Sequence, residues 1–161
     1  MKRILNSLFY IFPQNIAFAH CDIPCGIYDP YMAQRAAHTI IRMTQLRKEV
    51  KQDDDLTSDH TIARVTHVKE EHSDILEEEL ETLRNDYFKD EHYKEYPKLN
   101  DLFISVLKSS AKARQNIDMQ AAQDTLSGVL AIAEIFFKTK NVEPVRVKSL
   151  YPTEGEIVLH K

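Results

Sequence analysis

Four stretches of this 161-residue chain repeat apolar residues at intervals of three and four, and each such stripe must be buried against another. The first carries Ala33, Ala36, Ile40, Met43, Leu46 and Val50, with Asp29 placed to cap it and Pro30 suited to its first turn. Gln52 and Asp53-Asp54-Asp55 break the pattern as a polar loop. Thr57, Ser58 or Asp59 then opens a long charged helix whose stripe is Ile62, Val65, Val68, His72, Leu76, Leu80, Leu83 and Tyr87. In that helix Glu77, Glu78, Glu79 and Glu81 read as a solvated face. Pro97 closes a connection, and a third helix starts near Asn100 or Asp101 with Leu102, Phe103, Val106 and Leu107 on its stripe. Asp118 can cap a fourth helix with Met119, Ala122, Leu126, Val129, Ala133 and Phe136, in which Gly128 allows close helix approach. Short polar loops between the stripes predict an all-α fold, an antiparallel four-helix bundle.

Past Lys140 the pattern changes. Asn141 ends the helix, Pro144 prevents its return, and Val145, Val147 and Leu150 alternate only in part. Pro152-Thr153-Glu154-Gly155 is turn chemistry ahead of the apolar run Ile157-Val158-Leu159. For residues 141–161 a short hairpin, a cover over a neighbour and a mobile tail all remain open. With 29% charged residues and a net charge of −4, the chain has no basic cluster for nucleic acid. No apolar run reaches the ~20 residues of a membrane span.

The chemistry concentrates in one loop, His20-Cys21-Asp22-Ile23-Pro24-Cys25-Gly26-Ile27-Tyr28-Asp29-Pro30, which holds both cysteines of the chain. Thiolates are soft metal ligands, and imidazole suits nickel, copper, iron or zinc. A turn made by Pro24 and Gly26 would bring both sulfurs to one ion. No second cysteine pair completes a tetrahedral zinc site, so side chains alone do not supply the ligands. The set is completed if His20 becomes residue one. Its amine, the amide nitrogen of Cys21 and the two thiolates then form a square plane, a geometry of divalent nickel or copper, with the His20 imidazole available axially. A disulfide or reactive-thiol loop is the plainer alternative.

This loop closely resembles the metal hook of the nickel-containing superoxide dismutases, a pattern of His-Cys-Asp-x-Pro-Cys-Gly-x-Tyr-Asp-Pro. The resemblance returns at Asn85-Asp86-Tyr87-Phe88-Lys89, His92, Glu95-Tyr96-Pro97 and Leu99. It implies one nickel ion per subunit held by His20, Cys21 and Cys25, and a homohexamer of four-helix bundles spanning residues 20–140. It also implies that Tyr28 and Tyr87 line the approach to the metal and order water there. Lys89 is implied to help hold the hook through Asp22, Pro24 to follow a cis peptide, and Gly26 to belong to the same support. In some members a glutamate and an arginine brace the axial imidazole. Here those positions fall near Ala36 and on His72, so His72 is a candidate support for His20, against the plainer reading of a satisfied interior histidine.

Residues 1–19 combine a basic start, an apolar stretch from Ile4 to Phe12 and an Ala-x-Ala end, which suits a secretory signal. Asn6, Ser7, Pro13, Gln14 and Asn15 interrupt that stretch, and the resemblance implies a leader removed inside the cell by a maturation peptidase. Cytoplasmic location is therefore the expectation, and export the alternative. Both readings cut between Ala19 and His20.

Two thiolates and an anionic amide donate enough charge to make trivalent nickel accessible, as disproportionation of superoxide requires. A non-catalytic nickel or copper carrier using the same hook is the alternative, although it has no need of tyrosines at the mouth. A di-iron carboxylate site needs Glu-x-x-His. The residues three before the seven histidines are Ala17, Arg35, Thr57, Arg64, Lys69, Lys89 and Ile157, so none qualifies.

Overall fold

The computed structural model describes residues 25–51 and 55–161. The leader, its cut site, and His20, Cys21, Asp22 and Pro24 with its expected cis peptide lie outside the described residues. The chain runs α1 (Tyr31–Glu49), α2 (Leu56–Thr82), a π-helical turn (Leu83–Tyr87), a short α3 (Asp90–Glu95), α4 (Leu99–Gln115), α5 (Met119–Thr139) and strands β1 (Pro144–Lys148) and β2 (Glu156–His160). The protein is mostly helical, as the stripes predict. Helix α1 packs on α2 and α5, and α4 packs on α2 and α5, so the four long helices meet in a closed ring. Ile40, Leu76, Leu80, Phe103, Val129 and Ile132 fill its centre, all fully buried. Side chains of this size stabilise the fold by about 1.5–3 kcal/mol each.

Local chemistry sets the helix ends. Asp55 accepts the backbone N–H groups of Thr57 and Ser58 at 2.7 and 2.8 Å, so α2 starts at Leu56, ahead of the Thr57–Asp59 window. Asp118 accepts from the Ala121 N–H at 3.0 Å and caps α5 as expected. At α1 the buried Pro30 occupies the cap position, and Asp29 instead accepts the N–H of Tyr31. Gly128 marks a close approach to α4: a Cβ there would lie 2.2 Å from Cγ2 of Val106.

The inward face of α2 differs from its apolar stripe. Lys69 and Ser73 are buried, while Val68 and His72 are only half-buried. Spacings of four from Val65 through Lys69 to Ser73 keep one helix face, but a lysine does not read as a core residue. Lys69 tolerates the site because its ammonium donates to the carbonyls of Ala113 and Asn116, at 2.8 and 2.7 Å, where α4 ends. Burial nevertheless pushes its pKa down, with Glu70 opposing and Arg47 adding to the shift. A lysine at a helix C-terminus also meets the negative end of the helix dipole.

Residues 141–161 form the hairpin, in which Pro144 faces His160 and Lys148 faces Glu156 in antiparallel register. It adds a small sheet to the all-α expectation. The hairpin docks on a second face of α1 through polar side chains. The Gln34 amide, 1% exposed, donates to Val158 O at 3.1 Å and accepts from Val158 N at 2.6 Å, standing in for a neighbouring strand. His38, 3% exposed, lies 2.7 Å from Thr153 Oγ1 and 2.9 Å from Glu156 O. A carbonyl can only accept, so Nε2 carries the proton and Nδ1 accepts from the threonine. Gly155 lets the turn approach this ring, since a Cβ would stand 2.7 Å from His38 Cε1.

Two outcomes follow from this packing. Gly128→Ala drives a methyl into Val106, so net destabilisation of ~1–2 kcal/mol is expected after the gain in helix propensity. Combining it with Val106→Ala should restore most of that loss in denaturant titrations, as a double-mutant cycle would show. For His38, burial is the dominant effect and lowers the pKa below its ordinary value, against the Glu156 carbonyl, which raises it. The fold therefore favours neutral imidazole: this stability is fully present above about pH 6.5 and is lost as pH falls towards the folded pKa. Hydrogen exchange at Val158 should accelerate on acidification through that window, and should do so less in His38→Asn.

Candidate metal centre

Cys25 stands exposed at the start of the described chain, and its sulfur accepts the Ile27 N–H at 3.4 Å. An N–H aimed at sulfur suits a thiolate ligand, whose negative charge it shares. The turn between them needs Gly26, whose φ of 71° lies in the left-handed region. After this turn the chain dives inward. Tyr28 is half-buried and packs on the helical core, and Pro30 is buried where α1 begins.

The ring of Tyr28 lies 5.5 Å from that of Tyr87, tilted by 51°. Tyr87 is the last residue of the π-helical turn, which the Phe88 N–H closes on the Leu83 carbonyl at 2.9 Å. The Tyr93 hydroxyl fastens the turn by donating to Arg84 O at 3.0 Å. Widened turns of this kind gather at functional sites, where they redirect side chains. Phe136 and Phe88 flank Tyr87 at 4.6 and 5.0 Å, and His92 stacks on it at 5.7 Å with only 13° between the planes. The ammonium of Lys140 sits 4.7 Å from the ring centroid. Thr139 donates to Phe136 O at 2.7 Å, so the Tyr87 hydroxyl, 2.7 Å from the same threonine oxygen, is the donor in their contact. The phenol oxygen keeps lone pairs to accept a further hydrogen bond.

Lys89 follows on the same loop. Its ammonium donates to Asp86 O at 2.6 Å, and its backbone N–H donates to His92 Nδ1 at 3.0 Å, which fixes that ring's proton on Nε2. Cys25, Gly26, Tyr28, Tyr87 and Lys89 are thus placed at one end of the molecule, the last two by the π turn. His72 is not among them. It is half-buried on α2, its Nδ1 lies 2.9 Å from Val68 O, and it precedes Tyr87 by about four turns, or ~22 Å of helix. Thr139 and Lys140 belong to the site's surroundings but carry no local motif, and only folding brings them to Tyr87, whereas His92 follows it by five residues.

The sequence profile described as nickel-containing superoxide dismutase matches residues 15–140. The chain belongs to this family. A superoxide dismutase [Ni] of Streptomyces seoulensis is 34% identical over 137 residues, 85% of this chain and 98% of that relative. The structure of a native nickel superoxide dismutase superposes with a TM-score of 0.67 at 32% identity, covering 75% of this chain and 99% of the other. A second, whose nickel ligation corresponds to the oxidised state, gives 0.68 at 33% identity over 76% and 99%. The hairpin at 144–160 lies beyond the family match.

The described part of the hook fits a nickel ion, since it offers an accessible thiol with an N–H directed at the sulfur. Gly26→Ala tests that fit. Nothing lies within 4 Å of a Cβ at this position, so the substitution acts through backbone strain alone. About 1–2 kcal/mol of left-handed strain should weaken nickel binding roughly five- to thirtyfold in chelator competition. The melting temperature of the metal-free protein should stay unchanged.

Proposed function

We propose that removal of residues 1–19 makes this chain a nickel superoxide dismutase whose ion is held by His20, Cys21 and Cys25. The family assignment makes superoxide disproportionation the reaction and nickel the cofactor. When bound, nickel supplies a divalent–trivalent couple that takes an electron from one superoxide and returns one to the next. Two superoxides and two protons yield dioxygen and hydrogen peroxide. The family match extending from before the hook to Lys140 carries this reading, with Tyr28 packed against Tyr87 as its support in the fold.

The chain's own residues bind, screen and deliver protons. Tyr28 and Tyr87 form the wall of the approach and limit what reaches the hook. The Tyr87 hydroxyl, oriented by Thr139, accepts from water and so holds a proton source near the reacting anion. Asp22, Pro24, Gly26 and Lys89 keep the hook in shape, in the roles that the resemblance implies for them. Excluding bulk oxidant matters, because peroxide drives unprotected thiolates towards sulfenic and sulfinic acids.

The closed ring of helix contacts supports an antiparallel four-helix bundle, and the resemblance extends this to a homohexamer. Given the position of His72 along α2, any support it gives to a His20 imidazole would go to the hook of a neighbouring subunit. We place processing inside the cell, by a peptidase that cuts after Ala19.

While Ala19 is attached, the His20 nitrogen is a planar amide whose lone pair is delocalised, and it cannot serve as an amine ligand. Chains beginning at Ala19 and at His20 are to be loaded with nickel and assayed for superoxide consumption. The His20 chain should be active, and the Ala19 chain should fall to background while retaining its helical circular dichroism. Equal turnover would remove the amine from the ligand set. Stoichiometric nickel without turnover in the His20 chain would point to the carrier.

A further inference from the structure

We propose that the cleft between α1 and the turn of the hairpin binds a small organic anion that joins an apolar ring to one carboxylate, the benzoate class. The cleft has a volume of about 240 Å³ and two walls. Arg35, Arg42 and Met43 come from α1, and Tyr151 and Pro152 from the turn. The family match ends at residue 140, so the second wall belongs to a part of this chain that the match does not cover. The turn is fixed by its own backbone. Glu154 is left-handed, φ 54°, and its N–H donates to Tyr151 O at 3.0 Å, while the Ser149 N–H donates to Gly155 O at 2.8 Å. Behind the cleft the buried His38 meets Tyr151 edge to face, with ring centroids 4.9 Å apart, and holds Thr153 at 2.7 Å. A cleft already formed asks little further ordering of the protein when a ligand enters.

The walls set the ligand's chemistry. Met43, Pro152 and the Tyr151 ring offer apolar surface around a space of benzene-ring size. Arg35 supplies the charge. Among the described residues no carboxylate lies within ion-pair distance of it. Arg42, by contrast, donates to Gln45 Oε1 at 3.2 Å and lies 3.9 Å from Glu49. The Arg35 charge is felt on the opposite wall: contact with the Tyr31 hydroxyl and then burial raise the pKa of Tyr151, and Arg35 opposes both. The acidic groups of the hairpin leave Arg35 open, since Glu156 pairs with Arg146 at 3.7 Å and the exposed Glu154 does not line the cleft. A guanidinium fork at the edge of an apolar cleft matches a carboxylate in two parallel hydrogen bonds. A bare inorganic anion would meet the arginine and leave the apolar wall uncovered.

The test is hydrogen exchange read by mass spectrometry on the processed, nickel-loaded protein, following peptides from residues 149–160. Benzoate, benzyl alcohol or inorganic phosphate is added at matched ionic strength. A ligand that spans both walls binds only the docked hairpin, so exchange slows as the cleft fills. Benzoate should protect with a dissociation constant on the order of 1 mM. At ten times that constant the protection should reach up to about elevenfold. Arg35→Gln should weaken benzoate about tenfold and Arg35→Lys less, whereas Arg42→Gln should change it less than about twofold. Arg35 is exposed and outside every ion pair, so the circular dichroism of Arg35→Gln should match wild type. No protection by benzoate, or equal protection by benzyl alcohol, would overturn the proposal. So would an Arg35→Gln response equal to wild type, or a larger loss in Arg42→Gln. Phosphate protecting as strongly as benzoate would overturn the apolar half of the site. Superoxide turnover does not enter the readout, so this inference stands or falls apart from the dismutase reading.

Discussion

The packing of Tyr87 joins segments that the sequence keeps far apart. Its ring touches Tyr28 from the hook's exit, Phe88 and His92 from the loop after α2, and Phe136 and Lys140 from the end of α5. A hook outside the helices has little surface of its own to bury. The described end of the hook, Cys25 to Tyr28, is tied down by this aromatic contact and by the start of α1 at Pro30. The π turn makes the contact available: one extra residue in the helical turn changes the direction in which Tyr87 leaves α2. Oriented by Thr139, Tyr87 ties the segment before α1 to the end of α5.

The family portion and the hairpin are held by different physics. The helices meet through apolar stripes, with Lys69 the one buried lysine among the described residues, satisfied by the open carbonyls where α4 ends. The hairpin attaches through Gln34 and His38, two buried polar side chains whose hydrogen bonds are met by the backbone of β2 and its turn. Apolar packing is insensitive to pH, whereas burial of His38 favours its neutral imidazole. The addition beyond the family match thus brings a second buried titratable group, beside Lys69 of the helical core.

Much of this was legible before folding was considered. The hook's residue types pointed to nickel or copper, and its resemblance named the nickel family to which the chain belongs. Helical spacing placed four helices, and Asp118 and Gly128 were read in the roles they occupy. The misreadings share a cause. Periodicity weighs residues by apolarity, so Lys69 and Ser73 were passed over for Val68 and His72, and Gln34 and His38 gave no sign of lying under a hairpin.

By itself, then, the sequence determined the helical class, the thiol at Cys25 and the Asp118 cap of α5, since these depend on groups within a few positions of one another. Tertiary structure alone decided which polar side chains are buried, that residues 144–160 pair and dock on α1, and that Thr139 and Lys140 meet Tyr87. Each of these depends on partners distant in the chain. A lysine or histidine enters the interior only where carbonyls from another element wait to receive its protons, and no local pattern records where those carbonyls will be.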